Sequence, residues 1–203
     1  ISGGHVDQVN FTGSVEGGKT MERAAAGTFT GLGLELGGKD PAYVRADCDM
    51  VQTVENLVDG AFFNSGQSCC GIERIYVHRD VFDDFVGGFV DLTRQYVLGD
   101  PLDQATTLGP MVKGEAANFV RGQIDAAVRG GARAHLDPRD FPRDAPGSPY
   151  FAPPVLTECN YQFAVTAEES FAPFLGTLAV ADDAAADRLR SASPHLLTAP
   201  TWT

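Results

Sequence analysis

Apolar and polar positions along this 203-residue chain switch repeatedly between a period of two and a period near 3.6. Residues 7–11 alternate, with Val9 and Phe11 on one side, and predict a short strand. Thr12-Gly13-Ser14 then turns into a helix over about 15–26, and a second strand is expected near 33–36. Val51, Val54, Leu57, Val58, Ala61 and Phe62 recur at helical spacing, so a helix runs directly into a turn holding two cysteines. Residues 72–77 are rich in β formers. Phe82, Phe85, Val86, Phe89, Val90 and Val97 then mark a long amphipathic helix, stopped by Gly99-Asp100-Pro101. Another helix is expected over 115–129, ended by Gly130-Gly131, and a loop rich in Pro and Asp over 137–149. Strands near 152–156 and 174–180 and a helix near 182–189 complete the pattern. Strands alternating with helices predict an α/β fold with a mostly parallel sheet.

Composition narrows the functional classes. A hydrophobic content of 43% is enough for one real core and part of a second. The net charge of -12 excludes a nucleic-acid partner, whose phosphates need a positive surface. No apolar run approaches the roughly 18–20 residues that span a bilayer, so no membrane partner is expected.

Two turns carry candidate chemistry. The first is Phe62-Phe63-Asn64-Ser65-Gly66-Gln67-Ser68-Cys69-Cys70-Gly71. Its adjacent cysteines have Cα atoms about 3.8 Å apart, closer than the roughly 4.4–6.8 Å of an ordinary disulfide. No C-x-x-C repeat or Cys/His spacing suggests zinc, and no metal is expected. Reduced thiols fit a cytoplasmic protein. Buried cysteines are most often small hydrophobes, the reading given to Cys48 and Cys159. Cys69 differs, because Gly66 and Gly71 bracket it and Asn64, Gln67 and Ser68 supply polar groups that favour a thiolate. The second turn follows Glu35 in Leu34-Glu35-Leu36-Gly37-Gly38-Lys39. Glu35 is open to two readings: a half-exposed edge residue, or a base in a partly apolar setting that takes a proton from water.

Three further segments are ambiguous alone. Phe11-Thr12-Gly13-Ser14-Val15-Glu16-Gly17-Gly18-Lys19 joins a strand to a helix, where free N–H groups can meet a phosphate. Most such turns are only helix caps. The pair Glu168-Glu169 in Thr166-Ala167-Glu168-Glu169-Ser170-Phe171-Ala172-Pro173 reads by itself as a solvated turn. The tail 193–203 ends in Trp202-Thr203.

Taken together, these segments resemble the NAD(P)-dependent aldehyde dehydrogenases along essentially the whole chain. The match to LELGGK is letter-perfect, the cysteine turn is similar to FFN-x-GQ-x-C, and the others resemble FTGS-x-E-x-G, EE-x-FGP and SPYGLTAS-x-WT. The resemblance implies residues 1–36 as the end of an NAD(P)-binding domain and 37–203 as most of a catalytic domain, truncated at its C-terminus. It implies Cys69 as nucleophile, with the register of Gly66-Gln67 leaving Cys70 as neighbour, and Glu35 as hydrolytic base. Gly13, Ser14 and Gly18 would contact the cofactor pyrophosphate. Glu169 would hold the nicotinamide ribose, and Phe171 would pack near the ring. The implied reaction oxidises a small aldehyde to a carboxylic acid with NAD or NADP, through a cysteine thiohemiacetal and thioester. A full-length form would be a homo-oligomer. The chain also resembles less than half of a family member, with the oxyanion asparagine and ribose lysine implied upstream, so an inactive fragment with a structural or binding role is the alternative expectation. Ala172, Leu196 and Pro200 depart from the family's glycine, glycine and serine. A glycine that serves a positive φ would not exchange for alanine without strain.

Overall fold

The computed structural model describes residues 1–193 and 196–203. The chain divides into two compact units, Ile1–Gly38 and Lys39–Thr203.

In the first unit, β1 (Gln8–Gly13) runs into α1 (Val15–Ala25), which leads to β2 (Gly31–Leu36). The two strands pair in parallel, Gln8 opposite Gly31 through Gly13 opposite Leu36. Ser14 caps the helix, its Oγ accepting from Gly17 N at 3.1 Å.

The second unit holds β3 (Asp40–Val44), α2 (Met50–Phe62), β4 (Ile72–His78), α3 (Phe82–Thr93) and α4 (Gly114–Arg129). It continues with β5 (Arg133–Ala134), β6 (Val155–Thr157), α5 (Ala164–Ala167), β7 (Leu175–Val180), α6 (Asp183–Ser191) and β8 (Thr201–Trp202). Its six-stranded sheet has the order β5-β6-β7-β4-β3-β8. Among the described residues, only the β5–β6 pairing of this sheet is antiparallel. Strand alternation sorts the central residues. Val44, Ile75 and Val77 join the apolar stripe of α2 (Leu57, Val58, Ala61) and Phe85 and Phe89 of α3 in the main core. Tyr43 and Tyr76 gather instead with Val180 and with Ala186 of α6.

The mostly parallel α/β expectation is met, but α3 and β6 differ in their bounds and β3 is added. α3 ends at Thr93 rather than continuing through Val97. Val97 leaves the helix because Thr107 Oγ1 accepts from its N–H at 2.8 Å, and Val97 O accepts from Thr107 and Leu108 N–H. β6 begins at Val155, since the preceding Pro153 and Pro154 have no N–H to give a ladder. β3 was not expected from the sequence. It contains Pro41, a residue poorly suited to an interior strand, which is accommodated at a register shift between Asp40 and Pro41.

Candidate functional site

The cysteine turn is built by the end of α2. Asp49 caps that helix by accepting from Gln52 N at 3.1 Å. Beyond Phe62 the chain takes three successive left-handed conformations, at Asn64 (φ 50°), Ser65 (φ 57°) and Gly66 (φ 68°). For non-glycine residues this costs roughly 1–2 kcal/mol each, so neighbours must enforce it. Ser65 Oγ donates to Gly109 O at 2.9 Å, and Asn64 Nδ2 to Gln67 O at 2.9 Å. Gln67 reaches across to the next loop, its Oε1 accepting from Val112 N at 2.7 Å. Gly66 is pressed against the segment that follows Phe171: a Cβ at position 66 would stand 2.1 Å from Ala172 O. From this fixed turn Cys69 and Cys70 project exposed, with Ser68 Oγ 3.5 Å from Cys70 Sγ. Cys48 and Cys159 are half-buried, and burial pushes the Cys159 thiol up to about 11.

The Glu169–Phe171 segment lies in the same unit and is held from beneath. Lys39 and Glu73 are both buried and form an ion pair at 2.5 Å. Lys39 Nζ also donates to Val165 O at 2.8 Å and lies 4.6 Å from the centre of the Phe174 ring. Burial lowers the Lys39 pKa, with Glu73 and Glu169 pulling the other way. The Glu73 carboxylate further accepts from Phe171 N at 2.8 Å and Ser170 N at 3.0 Å. Ser170 Oγ donates to Gln123 Oε1 of α4 at 2.9 Å. Above this network Glu169 is half-buried and Phe171 exposed, the latter at φ 53°.

The first unit presents its own residues. Gly13 and Ser14 are exposed at the start of α1, where an anion could approach the helix N-terminus, although Ser14 itself already takes the Gly17 and Gly18 N–H groups. Glu16, which would oppose an anion there, is drawn 2.7 Å from Lys19, and this pairing holds its carboxyl below the usual range. Gly18 is buried for a different reason: a Cβ would meet Leu36 at 2.7 Å, so its lack of a side chain lets α1 pack on β2. Glu35 is exposed. Strand alternation turns Leu34 and Leu36 to the face opposite it.

Cavity size does not single out these residues. A hollow of about 480 Å³ beside Phe63, Asn64 and Gly109 touches the cysteine turn but not Cys69. Another of similar size, walled by Arg121, Phe141 and Phe151, contains none of the candidates.

Comparison with known proteins supplies the missing context. The description "Aldehyde dehydrogenase family" matches residues 1–203. The chain is 32% identical over 198 residues to succinate-semialdehyde dehydrogenase [NADP(+)] of Mycobacterium avium, covering 98% of this chain and 41% of that enzyme. It is 33% identical over 200 residues to 2-hydroxymuconic semialdehyde dehydrogenase of Pseudomonas putida, with the same coverage. Betaine aldehyde dehydrogenase of Staphylococcus aureus in complex with NAD+ superposes with a TM-score of 0.89 at 30% identity, covering 98% of this chain and 40% of that one. The chain belongs to the aldehyde dehydrogenase family.

This aldehyde dehydrogenase chain spans about two fifths of the length of the relatives it matches. Its motif residues are distributed by unit: Gly13, Ser14, Gly18 and Glu35 in the first, Cys69, Glu169 and Phe171 in the second. Ala172 is buried and has no positive φ; the left-handed residue is Phe171, so the departure from glycine creates no backbone strain. In the tail, Pro194 and His195 lie outside the described residues. Past them, Asp40 accepts from Leu197 N at 2.7 Å and from Thr198 N and Oγ1 at 3.0 and 2.7 Å. Pro200 O accepts from Tyr43 N, a role for which its departure from serine is immaterial.

Glu73 and Asp40 were not singled out from the sequence. For Glu73 the available signal was a charge within the β-forming run 72–77, since a buried charge is tolerable only when paired.

Proposed function

We propose that the protein carrying this chain oxidises a small aldehyde to the carboxylic acid with NAD or NADP, using Cys69 as nucleophile and Glu35 as general base. The observation that carries this reading is an exposed thiol on a rigidly enforced turn, at the cysteine of the family's motif. Cys69 Sγ, as the thiolate, adds to the aldehyde carbon and forms a carbon–sulfur bond. NAD(P)+, when bound, supplies the acceptor for the hydride leaving that carbon. Glu35 takes a proton from water, whose oxygen adds to the acyl carbon of the resulting thioester. The carbon–sulfur bond then breaks, freeing the acid and restoring the thiol. The exposed start of α1, with Gly13 and Ser14, suits the pyrophosphate; Gly18 contributes by letting α1 sit close to β2. Glu169 would hold the ribose hydroxyls, and the exposed Phe171 would pack near the nicotinamide. We assign the full-length form to the cytoplasm as a homo-oligomer, following the family resemblance and the free cysteines.

Cys69→Ala should abolish aldehyde oxidation, and Glu35→Gln should leave an acyl mass adduct on Cys69. Undiminished turnover with no trapped adduct rejects the assignment. A second reading is favoured by the chain's 41% share of its relatives: a piece with a structural or binding role and no turnover of its own. NAD(P)-dependent oxidation by the purified 203-residue chain excludes it.

A further inference from the structure

We propose that Glu73 is a positioning residue that fixes the Phe171 turn through the N–H groups of Ser170 and Phe171, beyond its pairing with Lys39. Its consequence for cofactor binding rests on the reading of Glu169 and Phe171 given above.

A buried carboxylate needs compensation, and Lys39 alone supplies it on one oxygen, Oε2. The remaining capacity is spent on two consecutive main-chain N–H groups, Ser170 to Oε2 at 3.0 Å and Phe171 to Oε1 at 2.8 Å. Two adjacent amides can converge on one carboxylate only if the chain bends between them. That bend is where Phe171 sits at φ 53°, a conformation unfavourable for a bulky residue and sustained only by surrounding constraints. Phe171 is 40% exposed, so core packing of its ring cannot be the whole constraint. The side chain of Gln123 holds Ser170 through its hydroxyl, but no side chain other than Glu73 is seen to grip the Phe171 backbone among the described residues. The carboxylate thus links β4, which follows directly from the cysteine turn, to the segment carrying Glu169 and Phe171.

A charge-neutralising role and a clamping role make different demands. On a Lys39→Met background the charge needs no partner, so Glu73→Leu and Glu73→Gln should be equivalent if Glu73 only balances Lys39. If it clamps the turn, the glutamine oxygen can still accept from the amides and leucine cannot. NMR-detected hydrogen exchange of the 203-residue chain reads this directly. We expect Ser170 and Phe171 amides to exchange about tenfold faster in Lys39→Met/Glu73→Leu than in Lys39→Met/Glu73→Gln, the scale of one neutral hydrogen bond. Equal rates overturn the proposal. Should the leucine variant not fold, Glu73→Asp decides instead, because it keeps the charge but withdraws the carboxylate by one methylene. Faster exchange at the two amides then supports the clamp, and unchanged exchange overturns it. Titration with NADH and NADPH separates the underlying reading. If the original chain binds neither, the cofactor assignment is not supported for this chain, while the exchange rates still decide the clamp.

Discussion

Cys69 and Cys70 differ from the other two thiols in exposure, and that difference is measurable. Iodoacetamide at neutral pH should label the exposed pair first, Cys48 and Cys159 lagging, as followed by peptide mass spectrometry. Cys159 carries a second signature. Burial favours its neutral thiol up to about pH 11, so its labelling should keep rising with pH beyond the point where an ordinary thiol has levelled off. Labelling of Cys159 as fast as Cys69 at neutral pH would contradict the burial argument. Gly66 offers a sharper test of the turn. At φ 68° and with Ala172 O in the path of any Cβ, Gly66→Ala should destabilise the second unit by on the order of 3 kcal/mol, read by urea denaturation. A loss below about 1 kcal/mol, the cost of the left-handed backbone alone, would mean that the contact with Ala172 relaxes freely.

Among the elements, α2 matters most because the cysteine turn inherits its position from the helix end. Asp49→Ala removes the bond to Gln52 N and should cost about 1 kcal/mol, lowering the melting temperature by roughly 2–4 °C. α2, α4, β4 and β7 were legible in the sequence because local periodicity and burial agree along them. The elements that escaped or shifted were decided elsewhere in the chain. Val97 was captured by Thr107, β3 accepts Pro41 only at the register shift against β4, and β6 waits for the prolines to end. The site divides in the same way. Cys69 could be read from a contiguous motif, whereas Glu73 acquires its role from amides 97 and 98 positions away, which no local pattern announces.

At the scale of the molecule, the two units differ in how much they bury. Among the residues of Ile1–Gly38, only Gly18 and Gly38 are buried, while Phe29 and Val6 are exposed. A two-stranded sheet and one helix without a buried apolar side chain are marginal in water. The second unit, by contrast, has a continuous core running from β3 and β4 into α2 and α3. Heating should therefore melt the first unit below the second, seen as early loss of amide protection at β1 and β2; a single coincident transition would refute independent stability. Within the larger unit, the obstacle facing position 66 is a main-chain oxygen, which every amino acid at 172 would equally carry. No exchange of side chain at 172 can remove it, so a selection for suppressors of Gly66→Ala should recover true revertants, or changes that reroute the chain, and never a simple compensating substitution at 172.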